Sequence, residues 1–223
     1  MFNAIIIGST GATGAALLQQ LINNKNCNKI ISIGRRPANN NKKNDKLVNV
    51  VIQSLYHLDS TINYWKGNDV FFNCIGTTRK RAGNAENFVD IELGISKIAA
   101  RIASKSKIPH AVVISAKGAD HTIWAHNWLH PLLYVKTMGE KEQTVLSNFP
   151  FKNVSIFRPG FLNRNIMKSN QKTFFPFMGK IGLSVNILAK AMMLNAETVY
   201  NKKIKDNIQF FIGNEKIKNI SKI

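Results

Sequence analysis

The residues best placed to do chemistry come early in the chain. Gly8-Ser9-Thr10-Gly11-Ala12-Thr13-Gly14 sets a glycine at every third position, directly after the apolar run Ala4–Ile7 and ahead of the helix-compatible stretch Ala15–Asn23. A turn this tight between strand and helix needs glycine backbone angles. The missing side chains also let backbone N–H groups and the helix N-terminus approach a pyrophosphate. The pattern carries weight because the strand before it and the helix after it are both legible. The second apolar strand, Lys29–Ile33, runs into Gly34-Arg35-Arg36. An NAD site usually has an acidic residue here for the ribose 2′-hydroxyl. Two permanently charged arginines instead suit forked recognition of a 2′-phosphate. The expectation is NADP(H) in preference to NAD(H), with solvated arginines at a loop start as the alternative.

Two further segments end strands at the same edge. Asn73-Cys74-Ile75-Gly76 closes the fourth strand, where folds of this kind bind ligands, so Cys74, Ile75, Gly76 and Thr77 are expected along the cofactor. Cys74, between Phe72 and Ile75, reads as a small buried residue and not a nucleophile. Thr77-Thr78-Arg79-Lys80-Arg81 either lines the nicotinamide side or is a solvated loop. Arg158-Pro159-Gly160 follows the sixth strand. Pro159 stiffens the exit and Gly160 permits close approach, while Arg158 either faces cofactor or an acidic substrate, or pairs with a nearby carboxylate. Of the five histidines, His121, His126 and His130 lie close together, with Trp124 and Trp128 among them. Too few ligands converge for a metal site, and none is expected. The bulky stretch reads as a lid or contact loop, with a partner surface as the other option.

The elements that position these residues follow from periodicity. Short apolar runs at Ala4–Ile7, Lys29–Ile33, Leu47–Ile52, Asp69–Ile75, His110–Ser115 and Val154–Phe157 alternate with amphipathic stretches, including helices over Phe88–Ser106 and Leu132–Leu146. Uniformly apolar strands separated by helices imply parallel strands buried on both faces. The fold class is therefore α/β, a doubly wound parallel sheet flanked by helices. Arg36–Lys46 reads as an exposed loop, and Ile208–Ile212 as a late edge strand. No domain boundary is visible, so residues 1–223 are expected to form one domain, with about 163–223 supplying substrate pocket and cap. Phe174, Phe175, Pro176, Phe177 and Met178 either line an apolar pocket there or simply pack.

Composition narrows the function classes. The chain has 31 lysines and arginines against 12 acidic residues, a net charge of +19 and a pI near 10.1. That charge points to nucleic acid, but only seven of the basic residues are arginine, and asparagine is about as abundant as lysine. A coding bias toward A and T produces the same excess, and no nucleic-acid module is recognisable. Cys27 and Cys74 cannot form a disulfide framework, which fits a reducing compartment. No apolar run reaches the ~18–20 residues a membrane span needs. With no signal-peptide features, the protein is expected to begin at Met1 and to be soluble and cytoplasmic, mitochondria being the alternative.

The chain resembles the atypical short-chain dehydrogenase/reductases, and more narrowly the oxidoreductases related to the HIV Tat-interacting protein. The matching segments are GSTGATG at 8–14, GRRP at 34–37, CIGTTRKRAG at 74–83, SAKGAD at 115–120, FRPGFL at 157–162 and SVNILAKAM at 184–192. The resemblance implies a Rossmann-type fold, bound NADPH and hydride transfer to or from a small carbonyl substrate. It also implies a tyrosine followed four residues later by a lysine, both on one helix face. The tyrosine handles the proton at the substrate oxygen, and the lysine favours the tyrosinate and holds the ribose. Here the helix reads Tyr134-Val135-Lys136-Thr137-Met138-Gly139-Glu140, so Tyr134 is present and Met138 stands where the lysine belongs. Lys136, two residues from Tyr134, points to another face unless the helix bends. Of the serine pair common at the end of strand five only Ser115 remains, Ala116 occupying the other position, and Ser115 is the candidate for polarising the carbonyl. Ser54 replaces an acidic residue that often contacts the adenine. Two functions follow as expectations: an NADPH-dependent reductase using Tyr134 and Ser115, or a catalytically impaired NADPH-binding regulatory or accessory protein.

Overall fold

The computed structural model describes residues 1–38, 43–126, 130–163, 182–202, 204 and 207–222. Seven strands form one sheet: β1 (Phe2–Ile7), β2 (Cys27–Gly34), β3 (Leu47–Val51), β4 (Val70–Asn73), β5 (His110–Ile114), β6 (Asn153–Arg158) and β9 (Asn207–Ile212). A small separate pair, β7 (Leu162–Asn163) and β8 (Leu183–Ser184), intervenes in sequence between β6 and β9. The helices are α1 (Ala12–Asn23), α2 (Arg79–Ala82), α3 (Ala85–Val89), α4 (Ile95–Lys105), α5 (His130–Gln143), α6 (Val185–Asn201) and α7 (Asn214–Ile220). Strand order is β3-β2-β1-β4-β5-β6-β9 and every pairing is parallel. This is the doubly wound Rossmann-type sheet that the apolar runs imply, with Ile208–Ile212 in the edge strand beside β6.

Burial on both faces explains the uniformly apolar first strand. Ala4, Ile5, Ile6 and Ile7 are all fully buried, because β1 lies between β2 and β4 with helices above and below. On one face Leu17, Leu18 and Leu21 of α1 meet Ala189, Met192 and Ala196 of α6. On the other, Ile95, Ala99 and Ile102 of α4 pack with Leu58 and Trp65. Burying one isoleucine contributes about 1.5–3 kcal/mol, so a polar residue in this strand is strongly disfavoured.

Three local features were not legible as such. The helix expected over Phe88–Ser106 is α3 and α4 joined through a π-helical turn at Asp90–Gly94, and α5 runs into a second such turn at Thr144–Asn148. A π turn inserts a residue without changing the apolar character that periodicity detects. Leu55–Tyr64 is 3₁₀-helical and begins where the Ser54 hydroxyl accepts a hydrogen bond from the Tyr56 amide, so Ser54 acts as a cap. Among the described residues no helix is long and apolar enough to cross a membrane.

The chain winds outward in opposite directions from β1 and β4, so a crevice opens between their carboxyl ends. At the opposite edge, the buried His110 ring shares a hydrogen bond of 2.9 Å with the Ser155 hydroxyl of the neighbouring strand. Burial pushes this imidazole down from its ordinary 6.5 to about 3. Below 6.5 the unfolded chain binds a proton that the folded one refuses, so stability falls with pH between about 6.5 and 3. At pH 5 this amounts to about 2 kcal/mol. Urea unfolding at pH 7 and pH 5 should show His110→Gln losing less stability than the parent by about that amount; equal losses refute it.

Candidate functional site

The strand-to-helix turn after β1 is built by close approach. Gly8 has φ +79, and a Cβ there would lie 2.5 Å from the Cys74 carbonyl carbon and oxygen. A Cβ on Gly14 would lie 2.1 Å from the Gly8 oxygen. No side chain larger than hydrogen fits either gap, so the turn wedges between β4 and α1. Gly11 N donates to Gly8 O at 3.0 Å, and α1 starts at Ala12 with no side-chain cap on its first amides. Those amides and the positive end of the helix dipole face the crevice between β1 and β4, the arrangement a pyrophosphate requires. Thr10, Gly11 and Ala12 are exposed, whereas Ser9 turns inward and its hydroxyl meets that of Ser32 on β2 at 2.7 Å. Ser9 thus joins the turn to the second strand through its side chain.

Arg35 and Arg36 follow the carboxyl end of β2 and are exposed, and neither makes an ion pair among the described residues. Cys74 and Ile75 are buried at the end of β4, Gly76 is exposed and Thr77 half-buried. Burial pushes the Cys74 thiol up to about 12, so it stays protonated and unreactive. Three buried polar atoms without a hydrogen-bond partner gather along this edge: Asn73 Nδ2 at the end of β4, Ser115 Oγ after β5, and Arg79 Nη1 at the start of α2. Leaving a buried polar group unsatisfied costs about 1–3 kcal/mol. Three together beside a glycine cradle fit a site built to contact a polar ligand.

Tyr134 lies half-buried on α5, its ring 6.0 Å from that of Phe88. Met138, four residues on, is 3% exposed and packs with Ala85, Phe88, Ala116, Ala119 and Leu133. The apolar pair Met138 and Ala116 therefore fills the place where the resemblance implies a lysine and a second serine. Residues His130–Gln143 of α5 are α-helical, and two residues turn about 200° round such a helix, so Lys136 lies off the face of Tyr134. Gly139 has a role that spacing alone did not reveal. A Cβ there would lie 2.2 Å from the His121 amide nitrogen, so the loop after Ser115 rests directly on the helix backbone.

The main site residues that the sequence pattern does not reveal are charged and buried: Glu92, Lys141 and Glu142. Lys141 is 1% exposed; its Nζ donates to the Ile75 carbonyl at 2.6 Å and to Glu92 Oε2 at 3.1 Å. Glu92 Oε1 accepts from the Thr77 amide at 2.6 Å. The next residue along, Glu142, receives both Nε and Nη2 of Arg158, which also lies over the Phe210 ring. Of the alternatives for Arg158, pairing with a carboxylate is what the geometry gives, and the bond to Glu142 strengthens its hold on the proton. Pro159 O accepts from Lys117 N, and Gly160 N donates to Asn214 Oδ1. No residue type near these positions announces such pairs, because their partners lie 16 and 49 residues away.

Trp124 is exposed and meets the His126 ring edge-on, while Trp128 and residues 174–178 lie outside the described residues. Among the described residues no cluster of His, Cys, Asp and Glu suits a metal. Two substitutions test the close packing. Gly14→Ala should weaken dinucleotide binding at least about tenfold by calorimetry, since its Cβ displaces the Gly8 carbonyl. Gly139→Ala should destabilise by about 1–3 kcal/mol in urea through overpacking. Unchanged affinity or unchanged stability, respectively, removes the corresponding reading.

Comparison with known proteins agrees with this geometry. The family model described as NAD(P)H-binding matches residues 8–174. The rat (Rattus norvegicus) protein HTATIP2 is 31% identical over 160 residues, 72% of this chain and 62% of the rat protein. The mitochondrial protein FMP52 of Meyerozyma guilliermondii is 31% identical over 71% of this chain and 64% of its own length. The chain thus matches somewhat under two thirds of these relatives. The crystal structure of the oxidoreductase ylbE from Lactococcus lactis aligns over 99% of this chain and 95% of its own with a TM-score of 0.67 at 14% identity, a likeness of fold. With a glycine cradle that only backbone can fill and a family match that begins at its first glycine, this chain belongs to the NAD(P)H-binding family of Rossmann-fold proteins and is related to HTATIP2 and FMP52.

Proposed function

We propose that this protein is an NADP(H)-dependent oxidoreductase acting on a small carbonyl compound. The observation that carries the reading is the buried, unpartnered Ser115 hydroxyl at the carboxyl edge of β5, beside the helix that presents Tyr134. Gly8–Gly14 and the first amides of α1 hold the pyrophosphate, and Cys74–Thr77 lies along the nicotinamide half with Pro159 and Gly160 at the far rim. When bound, the cofactor supplies the hydride. Ser115 Oγ donates a hydrogen bond to the substrate oxygen, and the Tyr134 hydroxyl passes it a proton.

Arg35 and Arg36 favour the 2′-phosphate form because both are exposed at the end of β2 and neither makes an ion pair among the described residues. Removing them together (Arg35→Ser with Arg36→Ser) should weaken NADPH by about ten- to a hundredfold, the loss of about 1.5–3 kcal/mol of charge-assisted bonding. NADH affinity should stay constant. Tighter NADH than NADPH binding by the parent protein overturns the preference.

One observation favours a second reading. Met138 is buried among apolar side chains where the resemblance implies a lysine, which suits an NADPH-binding accessory protein that does not turn over. The two part on a single assay, NADPH consumption across a panel of aldehydes and ketones. Turnover that Tyr134→Phe lowers by about 10²–10⁴-fold, with NADPH affinity intact, supports the enzyme. Bound NADPH with no turnover on any substrate supports the accessory role. The name of FMP52 supports a mitochondrial location for either role, with the cytoplasm as the other compartment.

A further inference from the structure

We propose that Lys141 is a positioning residue for the nicotinamide half of the cofactor, supplying through the Ile75–Thr77 loop the buried positive charge that Met138 does not provide. The inference rests on the dinucleotide reading above. Seven residues separate Tyr134 from Lys141, which at 3.6 residues per turn returns to the same helix face. Side chains in a helix lean toward its N-terminus. The long Lys141 stem is thereby directed back along that face, toward the turn where Met138 sits.

The ammonium ends on one backbone carbonyl and one carboxylate. Its Nζ takes the Ile75 carbonyl and Glu92 Oε2, and Glu92 Oε1 in turn takes the Thr77 amide. One charge pair therefore grips the loop from both sides of Gly76, the exposed residue at the carboxyl edge of β4. Side-chain exposure of the two partners is 1% and 4%. A buried ion pair is seldom the most stable filling for such a space, since two apolar side chains of similar volume often do as well or better. What apolar side chains cannot do is hold a carbonyl and an amide two residues apart in one shape. The π-helical turn at Asp90–Gly94 places Glu92 for this task, and turns of that kind recur at functional sites. The charge is felt at the adjacent Cys74 too, where it opposes the upward push of burial on the thiol.

The test separates the two halves of the cofactor. Binding of NADPH and of adenosine 2′,5′-bisphosphate, which carries the adenine half alone, is measured by calorimetry for the parent, Lys141→Met and Lys141→Arg. Lys141→Met should weaken NADPH about tenfold or more while the bisphosphate changes by less than about twofold, and the fluorescence of bound NADPH should shift toward that of the free form. Lys141→Arg, which keeps a charged donor, should recover most of the NADPH affinity. A double variant, Lys141→Met with Glu92→Gln, leaves no uncompensated buried charge and should show the same split if the single variant does not fold. NADPH affinity unchanged in a folded variant overturns the proposal, as does an equal loss of both ligands. If the parent protein binds neither ligand, the dinucleotide reading itself fails, a result distinct from either.

Discussion

The contact on which the rest depends is the passage of Gly8 against the end of β4. The turn after β1 has to run between the Cys74 carbonyl and the first turn of α1, and at 2.5 and 2.1 Å from a notional Cβ neither Gly8 nor Gly14 leaves room for a side chain. That proximity makes the switch point of the sheet a usable crevice. It sets the amides at the start of α1 beside the loop 74–77, so one ligand can touch both. Ser9 adds the third fixed direction, since its hydroxyl on Ser32 holds the turn to β2 and therefore to the strand that leads into Arg35.

The second constraint acts on α5. Its consecutive residues Lys141 and Glu142 reach opposite ways, Lys141 to the end of β4 through Ile75 and Glu142 to the end of β6 through Arg158. The helix is thereby fastened to both strands that flank β5, and Gly139 lets the loop after β5 lie on its backbone. Fixing α5 fixes Tyr134 relative to Ser115.

The unequal legibility of fold and site has a physical origin. The alternation of apolar strands and helices follows from burial on two faces, which acts residue by residue and leaves a pattern in the sequence. The glycine turn is equally local, all of it within seven residues. Glu92 and Lys141 are different. Each looks like a solvated charge on a helix, and what makes them matter is a meeting across 49 residues that periodicity cannot register. The π-helical turn hid Glu92 further, since Ile91 and Ile95 keep an ordinary spacing of four while an added residue rotates everything between them. Leu55–Tyr64 packs Leu55, Leu58 and Ile62, with Trp65 just after it, against the core, but the kink at His57 and the polar residues between them keep that short stripe from standing out, and Trp65 Nε1 donates to Thr61 Oγ1 within it.

The net charge of +19 takes on a different meaning beside these contacts. The chain has 31 basic residues and 12 acidic ones, and among the described residues the exposed ion pairs are Asp59 with Arg101 and Glu215 with Lys218. Such exposed pairs contribute about 0–1 kcal/mol and say little about design. Glu92 and Glu142 are buried instead, at 3% and 2% exposure, and both lie at the carboxyl edge of the sheet. Desolvating a carboxylate is costly enough that it persists only where several donors converge on it, and here those donors are an ammonium with a backbone amide, and a forked guanidinium. In a chain so short of acids, the two negative groups buried among the described residues are the ones that organise α5 and the loop after β4.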